Sequence, residues 1–224
     1  STNTSSAFES IEGIIRNDVG GRGAAHLAEP GGLRIAAENV VQNIRHQLSS
    51  GHDACVFILT GFLVRKASSL HKECGEIEYS PETDGPIGCS MIARSLQSVF
   101  EHQVLRGRLK IVIITMSEAE TMVREAVKAL CSDLEPASSS STEVIAIDGQ
   151  VVESLVQKYC PQVVISIEVA GVSAQNPWAG YTMRGKELGP KSCVPLFSSL
   201  FQISYDNPST FTVGIADGGN ELGC

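Results

Sequence analysis

This 224-residue chain lacks any run of about 18 consecutive apolar residues, the length that a membrane-spanning helix requires. Basic residues are also few: 17 Lys and Arg stand against 25 Asp and Glu, the net charge is −8, and no Lys/Arg cluster is present. Proteins bind nucleic acid largely by neutralising its phosphates, so this balance argues against a nucleic-acid partner. Residues 1–6 are polar and lack the apolar core of a signal peptide. We therefore expect no membrane and no nucleic acid as partner.

The usual signatures of zinc and nucleotide sites are missing as well. None of the seven cysteines forms a CxxC pair, and none of the five histidines belongs to an HExxH motif. The glycine-rich segment 18–23 follows a helical pattern instead of a strand and lacks GxGxxG spacing, so it does not qualify as a phosphate loop. The cysteines are dispersed and odd in number, which indicates reduced thiols in an intracellular compartment. The residues leave open whether this compartment is the cytoplasm or, in a eukaryote, the mitochondrial matrix.

Short apolar runs alternate with segments of helical periodicity along the chain. The apolar runs predict strands at 55–59, 109–114, 144–147, 163–167 and 211–215. The helical patterns lie at 7–16, 33–48, 91–104, 117–131, 151–159 and 194–201. Alternating strands and helices imply parallel βαβ units with right-handed crossovers. The sequence therefore predicts one α/β domain over residues 1–224, a three-layer αβα sandwich with a mostly parallel, doubly wound sheet.

Three connecting segments are expected to be irregular. Residues 60–88 and 168–188 are long for loops inside a compact domain, and loops of that length are usually functional. The serine run 138–141 is expected to form a flexible surface turn.

The first candidate site is the segment Glu82-Thr83-Asp84-Gly85-Pro86. Its two carboxylates are two residues apart, so an extended loop would let both reach one hard cation. The alternative is a helix start, because Pro is favoured at the first helical position and Asp84 would stand just before it. The sequence leaves both interpretations open.

The second candidate is Asp217-Gly218-Gly219-Asn220-Glu221, which follows a predicted strand. Ligands of open α/β sheets bind beyond the carboxyl ends of the strands, where this loop is expected. Consecutive glycines let backbone N–H groups converge on an anion, and carboxylates favour Mg²⁺ or Mn²⁺. An ordinary turn could use the same residues, although most turns do not need both an Asp and a Glu.

Two further strand ends carry polar residues. Glu168 follows an otherwise apolar strand, where an acid is costly unless it is paired, bound to a ligand or solvated beyond the sheet. Arg184 lies in the loop that follows, and its guanidinium group would suit a substrate carboxylate, although most loop arginines are merely solvated. Thr60 and Gly61, at the end of the first predicted strand, could contact a substrate through the hydroxyl group and the backbone.

Taken together and in this order, these segments resemble one known family, the C-terminal domain of D-glutamate cyclase. The matching segments are 18–23, 60–62, 82–88, 166–168, 183–185 and 217–221. The chain departs from the family pattern where Ile87 replaces a second Pro, where Val169-Ala170 replaces Arg-Pro, and where Ala216 replaces a Gly. Family members also continue beyond the last loop, so we expect this chain to be a truncated or processed piece of a longer protein.

The resemblance implies conversion of D-glutamate, a small-molecule substrate, to 5-oxo-D-proline with loss of water, assisted by a divalent cation (Mg²⁺ or Mn²⁺). The residues expected around the cation are Glu82, Asp84, Asp217 and Glu221. The residues expected to act in catalysis are Glu168 as general base, Asp217, and Arg184 as the anchor of the α-carboxylate. The other residues expected to contact the substrate are Thr60, Gly61, Gly218, Gly219 and Asn220.

Two alternatives belong to other functional classes. A metal-dependent phosphohydrolase would also place carboxylates at strand ends, but its DxD motif after an apolar strand is absent. A non-catalytic ligand-binding domain would keep the acidic pocket without turnover. The sequence leaves open whether the protein forms a homo-oligomer.

Overall fold

The computed structural model describes residues 2–17, 21, 26, 28–65, 79–101, 107–131, 140–147, 152–177, 179–182, 185, 187 and 193–223. The helices are α1 (Thr2–Ile15), α2 (Gly32–Ser49), α3 (Asp84–Glu101), α4 (Ser117–Cys131), α5 (Val152–Tyr159) and α6 (Cys193–Tyr205). The strands are β1 (Ala54–Leu59), β2 (Leu63–Arg65), β3 (Tyr79–Pro81), β4 (Leu109–Thr115), β5 (Ser140–Ala146), β6 (Val163–Ile167) and β7 (Phe211–Ile215).

The main sheet has five strands in the order β5-β4-β1-β6-β7, and all its neighbouring strands are parallel. Each connection between consecutive strands of this sheet contains a helix, which is how parallel strands are normally joined. The chain passes from β1 outward to β4 and β5, then returns to the other side of β1 with β6 and β7. The strand order therefore reverses between β1 and β6, and this is the topological switch point of the sheet.

Helices cover both faces of the sheet. Val56 and Ile58 of β1 pack in one apolar core with residues of α2, α3 and α4. Phe57 and Leu59 point to the opposite face, as alternate residues of a strand must, and pack with residues of α5 and α6. All six residues of β1 are buried, which explains why the sequence shows a continuous apolar run there. The predicted three-layer αβα sandwich is confirmed.

The stretch predicted as one long loop after β1 is more regular than expected. β2 and β3 pair as a small antiparallel sheet, with Leu63 opposite Pro81. The helix predicted to begin at residue 91 begins at Asp84. The helix start that the sequence left open at this segment is therefore present, and Pro86 lies in the first turn of the helix, where Pro is well tolerated.

The serine run was also misassigned in part. Ser140 and Ser141 belong to β5, where they pair with Leu109 and Lys110 of β4. β5 lies at an edge of the sheet, and an edge strand needs no continuous apolar sequence because fewer elements cover it.

The N-terminal helix α1 is fixed to α2 by one carboxylate. The backbone N–H groups of Gly31 and Leu33 each donate to a different oxygen of Glu12 at 2.9 Å. These hydrogen bonds hold the pKa of Glu12 below its usual value. None of the helices described here is long and apolar enough to cross a membrane.

Phe57 offers a direct test of the core. It is fully buried on the central strand. The centroids of its ring and the Tyr159 ring are 5.7 Å apart, in an edge-to-face arrangement. We expect Phe57→Ala to cost about 3–5 kcal/mol of unfolding free energy. For a chain of this size that corresponds to a fall in Tm of roughly 6–20 °C, measured by calorimetry. The control Ile35→Ala removes a side chain that is 54% exposed and should change Tm little; equal losses in both variants would contradict this packing.

Candidate active site

The candidate site lies at the switch point, where β1 and β6 end side by side. Thr60 and Gly61 follow β1, and Glu168 follows β6. The backbone N–H groups of Gly61 and Phe62 donate to the backbone carbonyl of Glu168 at 3.3 and 2.9 Å. The two segments are therefore fixed to each other just beyond the sheet, where open α/β folds bind their ligands.

Glu168 has an unusual backbone conformation. Its φ is +47°, in the left-handed region that residues other than Gly rarely occupy and that costs of order 1–3 kcal/mol. The carbonyl contacts with Gly61 and Phe62 require this residue to turn sharply out of β6. Strain of this kind is concentrated at functional sites, where the surrounding structure maintains it.

Glu82 and Asp84 reach Glu168 from one side. One carboxylate oxygen from each of these three residues lies within 4.8 Å of the others. The backbone N–H of Glu82 donates to Phe62 at 2.9 Å, and Asp84 is the first residue of α3. Asp84 Oδ1 also accepts the N–H of Gly85 at 3.0 Å. The helix start and the acidic cluster, which were alternative interpretations of this segment, therefore occur together.

Asp217 and Glu221 reach Glu168 from the other side. Their carboxylate oxygens and one of Glu168 again lie within 4.8 Å of one another. Asp217 is exposed just after β7, whereas Glu221 is only 6% exposed. The structure thus brings all five predicted carboxylates together, in two groups of three that share Glu168.

Glu221 is close to Glu168 because the chain turns back after β7. The N–H of Leu222 donates to Val169 at 2.8 Å, and the N–H of Gly171 donates to Asn220 at 3.0 Å. The Ser166 hydroxyl group donates to the carbonyl of Leu222 at 2.6 Å. Residues 220–222 therefore pair with residues 169–171 just beyond β6, and the returning segment 216–223 to which they belong carries both Asp217 and Glu221.

Backbone N–H groups of the last loop donate hydrogen bonds to the carboxylate of Glu221, which belongs to the same loop. The N–H groups of Gly218 and Asn220 donate to Glu221 Oε2 at 3.3 and 3.0 Å, and the Asn220 side chain donates to the carbonyl of Tyr181 at 3.0 Å. Converging N–H groups, expected from the glycines, are present at Gly218 and Asn220, and both donate to Glu221. Contact of Gly218, Gly219 and Asn220 with a substrate stays a prediction.

Of the other residues predicted to contact the substrate, Thr60 and Gly61 are buried beside the acidic cluster. Thr60 is fully buried beside the cluster, and its Oγ1 has no hydrogen-bond partner among the described residues. Gly61 is also buried and has a φ of +130°, which favours glycine. Arg184 lies outside the described residues.

Burial and like charges both disfavour ionisation of Glu168. The pKa of Glu168 is raised to about 8, first by burial and then by the negative charges of the four surrounding carboxylates. The contributing neighbours, in decreasing order, are Asp84, Glu221, Asp217 and Glu82. A bound cation would offset this repulsion.

The donor atoms fit a hard divalent cation. Carboxylate oxygens from separate loops are the ligands that Mg²⁺ and Mn²⁺ prefer, whereas a zinc site would draw on Cys or His. The two N–H groups on Glu221 fix the orientation of its carboxylate, as hydrogen bonds to ligating carboxylates usually do in metal sites. The residues present are therefore suited to hold a divalent cation.

One known family matches this chain over nearly its whole length. Residues 11–224 match the family described as D-glutamate cyclase-like, C-terminal. The chain belongs to this family. No curated protein and no solved structure matches it. The match confirms the family resemblance seen in the sequence, and the D-glutamate cyclase-like domain extends over nearly the whole chain.

Sequence reasoning missed the contacts that hold this D-glutamate cyclase-like site together. Ser166 lies in the matching segment 166–168, but a hydroxyl group inside an apolar strand is common, and its bond to Leu222 depends on the returning segment. Gly85 was interpreted either as part of an extended loop or as part of a helix start. Its close contacts with Thr60 and Glu168 could be found only from the three-dimensional structure.

Removal of one charge from the cluster should stabilise the metal-free protein. The pKa of Glu168 is raised in the folded state, so its ionisation opposes folding as pH rises from its ordinary value near 4.5 towards 8. In EDTA, Glu168→Gln should therefore raise Tm at pH 8.5 but barely at pH 4.5; each kcal/mol gained corresponds to roughly 2–4 °C.

Differential scanning fluorimetry at both pH values checks this prediction. Glu125→Gln, which neutralises an exposed Glu on α4, is the matched control and should shift Tm little at either pH. An equal Tm for wild type and Glu168→Gln at pH 8.5 would contradict the repulsion inferred here.

Proposed function

We propose that the acidic cluster binds a divalent cation and that the domain converts D-glutamate to 5-oxo-D-proline and water. The observation that carries this proposal is the gathering of Glu82, Asp84, Glu168, Asp217 and Glu221 at the switch point of a D-glutamate cyclase-like domain. Fold alone does not assign a reaction, so the proposal depends on these side chains.

The cation would be held by carboxylates from both sides of Glu168, and when bound it would polarise the γ-carboxyl group of the substrate as a Lewis acid. D-Glutamate has two carboxylates and so adds negative charge to a site that already contains five acids. A cation in the cluster is therefore required on electrostatic grounds before such a substrate can bind well.

Glu168 is our proposal for the general base. The substrate ammonium group must lose a proton before its nitrogen attacks the γ-carboxyl carbon. A C–N bond then forms, the nitrogen loses its second proton, and the C–O bond breaks. The departing oxygen takes up both protons and leaves as water, so atoms and charge balance. Glu168 is central in the cluster, where its carboxylate would be able to accept these protons in turn.

Ring closure also requires the substrate to be folded. An amine and a γ-carbon held together react far faster than in an extended molecule, since orientation removes much of the entropic cost. Arg184 remains our prediction for the anchor of the α-carboxylate. Thr60 and Gly61, directly beside Glu168, are the proposed contacts on the inner side of the pocket.

The direct assay incubates the protein with D-glutamate and either Mn²⁺ or Mg²⁺, and follows 5-oxoproline by mass spectrometry. Formation of product from D-glutamate but not from L-glutamate supports the proposal. A generic phosphatase substrate is tested in parallel, and its hydrolysis would instead indicate a metal-dependent phosphohydrolase. Thermal stabilisation by D-glutamate without product would indicate a ligand-binding domain.

Asp217→Ala tests the last loop. We expect this variant to lose most of the turnover and to bind Mn²⁺ more weakly, by roughly 10–100-fold, because a ligating carboxylate is removed. Isothermal titration with Mn²⁺ and the 5-oxoproline assay measure the two effects. Asp206→Ala, at an exposed Asp just after α6, is the control and should retain both properties. Wild-type turnover and metal affinity in Asp217→Ala would show that the loop has been misassigned.

Glu168→Gln separates the role of base from the role of ligand. The amide retains an oxygen but cannot accept a proton from the ammonium group, so kcat should fall by about 10²–10⁴. We expect Mn²⁺ still to bind, because two carboxylates remain in each of the two groups that share Glu168. Loss of Mn²⁺ binding in this variant, measured by the same titration, would mean that Glu168 is primarily a metal ligand.

A further inference from the structure

Gly85 stands where helix formation alone would favour another residue. It is the second residue of α3 and is buried, and glycine is a poorer helix former than alanine. Its backbone φ is not in the positive region, so its conformation does not demand glycine either. The reason for a glycine at this position must therefore lie in what surrounds it.

Two site residues lie against Gly85. A Cβ atom added there would be 2.6 Å from Thr60 Oγ1 and 3.1 Å from Glu168 Cβ. The first of these distances is too short for any real contact, and the second is tighter than most. The contacts come from the ends of β1 and β6, the two strands that flank the switch point.

Thr60 cannot easily move away from an added methyl group. Its side chain is fully buried, and its backbone N–H donates to Ile114 of the neighbouring strand at 3.0 Å. A threonine side chain is also stiff about χ1, because it is branched at Cβ. An added Cβ at Gly85 would therefore displace the start of α3 more readily than it displaces Thr60.

The start of α3 carries one side of the acidic cluster. Asp84 immediately precedes Gly85, and Glu82 lies three residues before it, so a shift of this segment moves both carboxylates away from Glu168. Metal–ligand distances tolerate only a few tenths of an ångström. The spacing between the two sides of the cluster thus depends on the absence of a side chain at Gly85.

We propose that Gly85 is a positioning residue of the active site. Its missing side chain lets α3 dock against Thr60 and Glu168, and this docking sets the position of Glu82 and Asp84 relative to the rest of the acidic cluster, as binding of one cation requires. The inference rests on the proposed function, because it assigns this spacing to cation binding.

The test is Mn²⁺ titration of Gly85→Ala by calorimetry, in the absence of substrate. We expect the Kd for Mn²⁺ to rise by about 10–100-fold, as is typical when a group supporting a metal site is disturbed. Circular dichroism should show an unchanged helical signal. Gly32→Ala is the matched control at the start of α2, where an added Cβ would meet no described atom within 4 Å. No neighbouring group has to move there, so the control should keep wild-type affinity.

A double variant identifies the contact responsible. Thr60→Ala/Gly85→Ala removes the Oγ1 atom that lies 2.6 Å from the added Cβ, leaving the 3.1 Å contact with Glu168. We expect it to recover most of the Mn²⁺ affinity that Gly85→Ala loses, relative to Thr60→Ala alone. A merely destabilising effect of the alanine would not be reversed by a second truncation.

The outcomes separate this inference from the proposed reaction. The inference about Gly85 is wrong if Gly85→Ala binds Mn²⁺ with wild-type affinity. It is also wrong if the folded double variant binds Mn²⁺ as weakly as Gly85→Ala does. Neither result affects the proposed reaction. If the wild-type protein binds Mn²⁺ but forms no 5-oxo-D-proline, only the proposed reaction is contradicted. A wild type that binds neither Mn²⁺ nor Mg²⁺ overturns both. If Gly85→Ala does not fold, we expect the double variant to fold, because the clash with Thr60 Oγ1 is removed. A double variant that also fails to fold contradicts the role given to this clash.

Discussion

The mutual repulsion of carboxylates at one edge of the sheet is the constraint on which the rest of this structure depends. Four acids surround Glu168, and each of them makes ionisation of its carboxyl group harder. Backbone hydrogen bonds maintain this arrangement. N–H groups just after β1 donate to the backbone carbonyl of Glu168, and N–H groups of the last loop donate to the carboxylate of Glu221. A divalent cation bound among these carboxylates would offset the repulsion that the fold maintains.

The sequence was sufficient to predict the layers of the fold and the places where its acids would meet. Strands such as β1 and β6 are short, continuous apolar runs because helices cover both their faces, and the acids stand directly beyond strand ends. The family resemblance implied that Asp84 and Asp217 would lie around one cation, and the structure places both beside Glu168.

Other features could not be predicted because they depend on contacts between distant segments. The left-handed turn at Glu168 follows from hydrogen bonds to Gly61 and Phe62, which no local pattern reveals. The close packing at Gly85 depends on Thr60 and Glu168, which are distant from it in the sequence. The return of the chain after β7, which brings Glu221 into the cluster, depends on pairing with the segment after β6.

A crystal structure of the protein grown with Mn²⁺, with anomalous scattering recorded at the manganese edge, tests the central claim most directly. The account predicts an anomalous peak between the two sides of the cluster, roughly 2.0–2.6 Å from carboxylate oxygens that include Asp217 or Glu221 on one side and Glu82 or Asp84 on the other. A peak coordinated elsewhere on the molecule, or no peak at this edge of the sheet at saturating Mn²⁺, would contradict it.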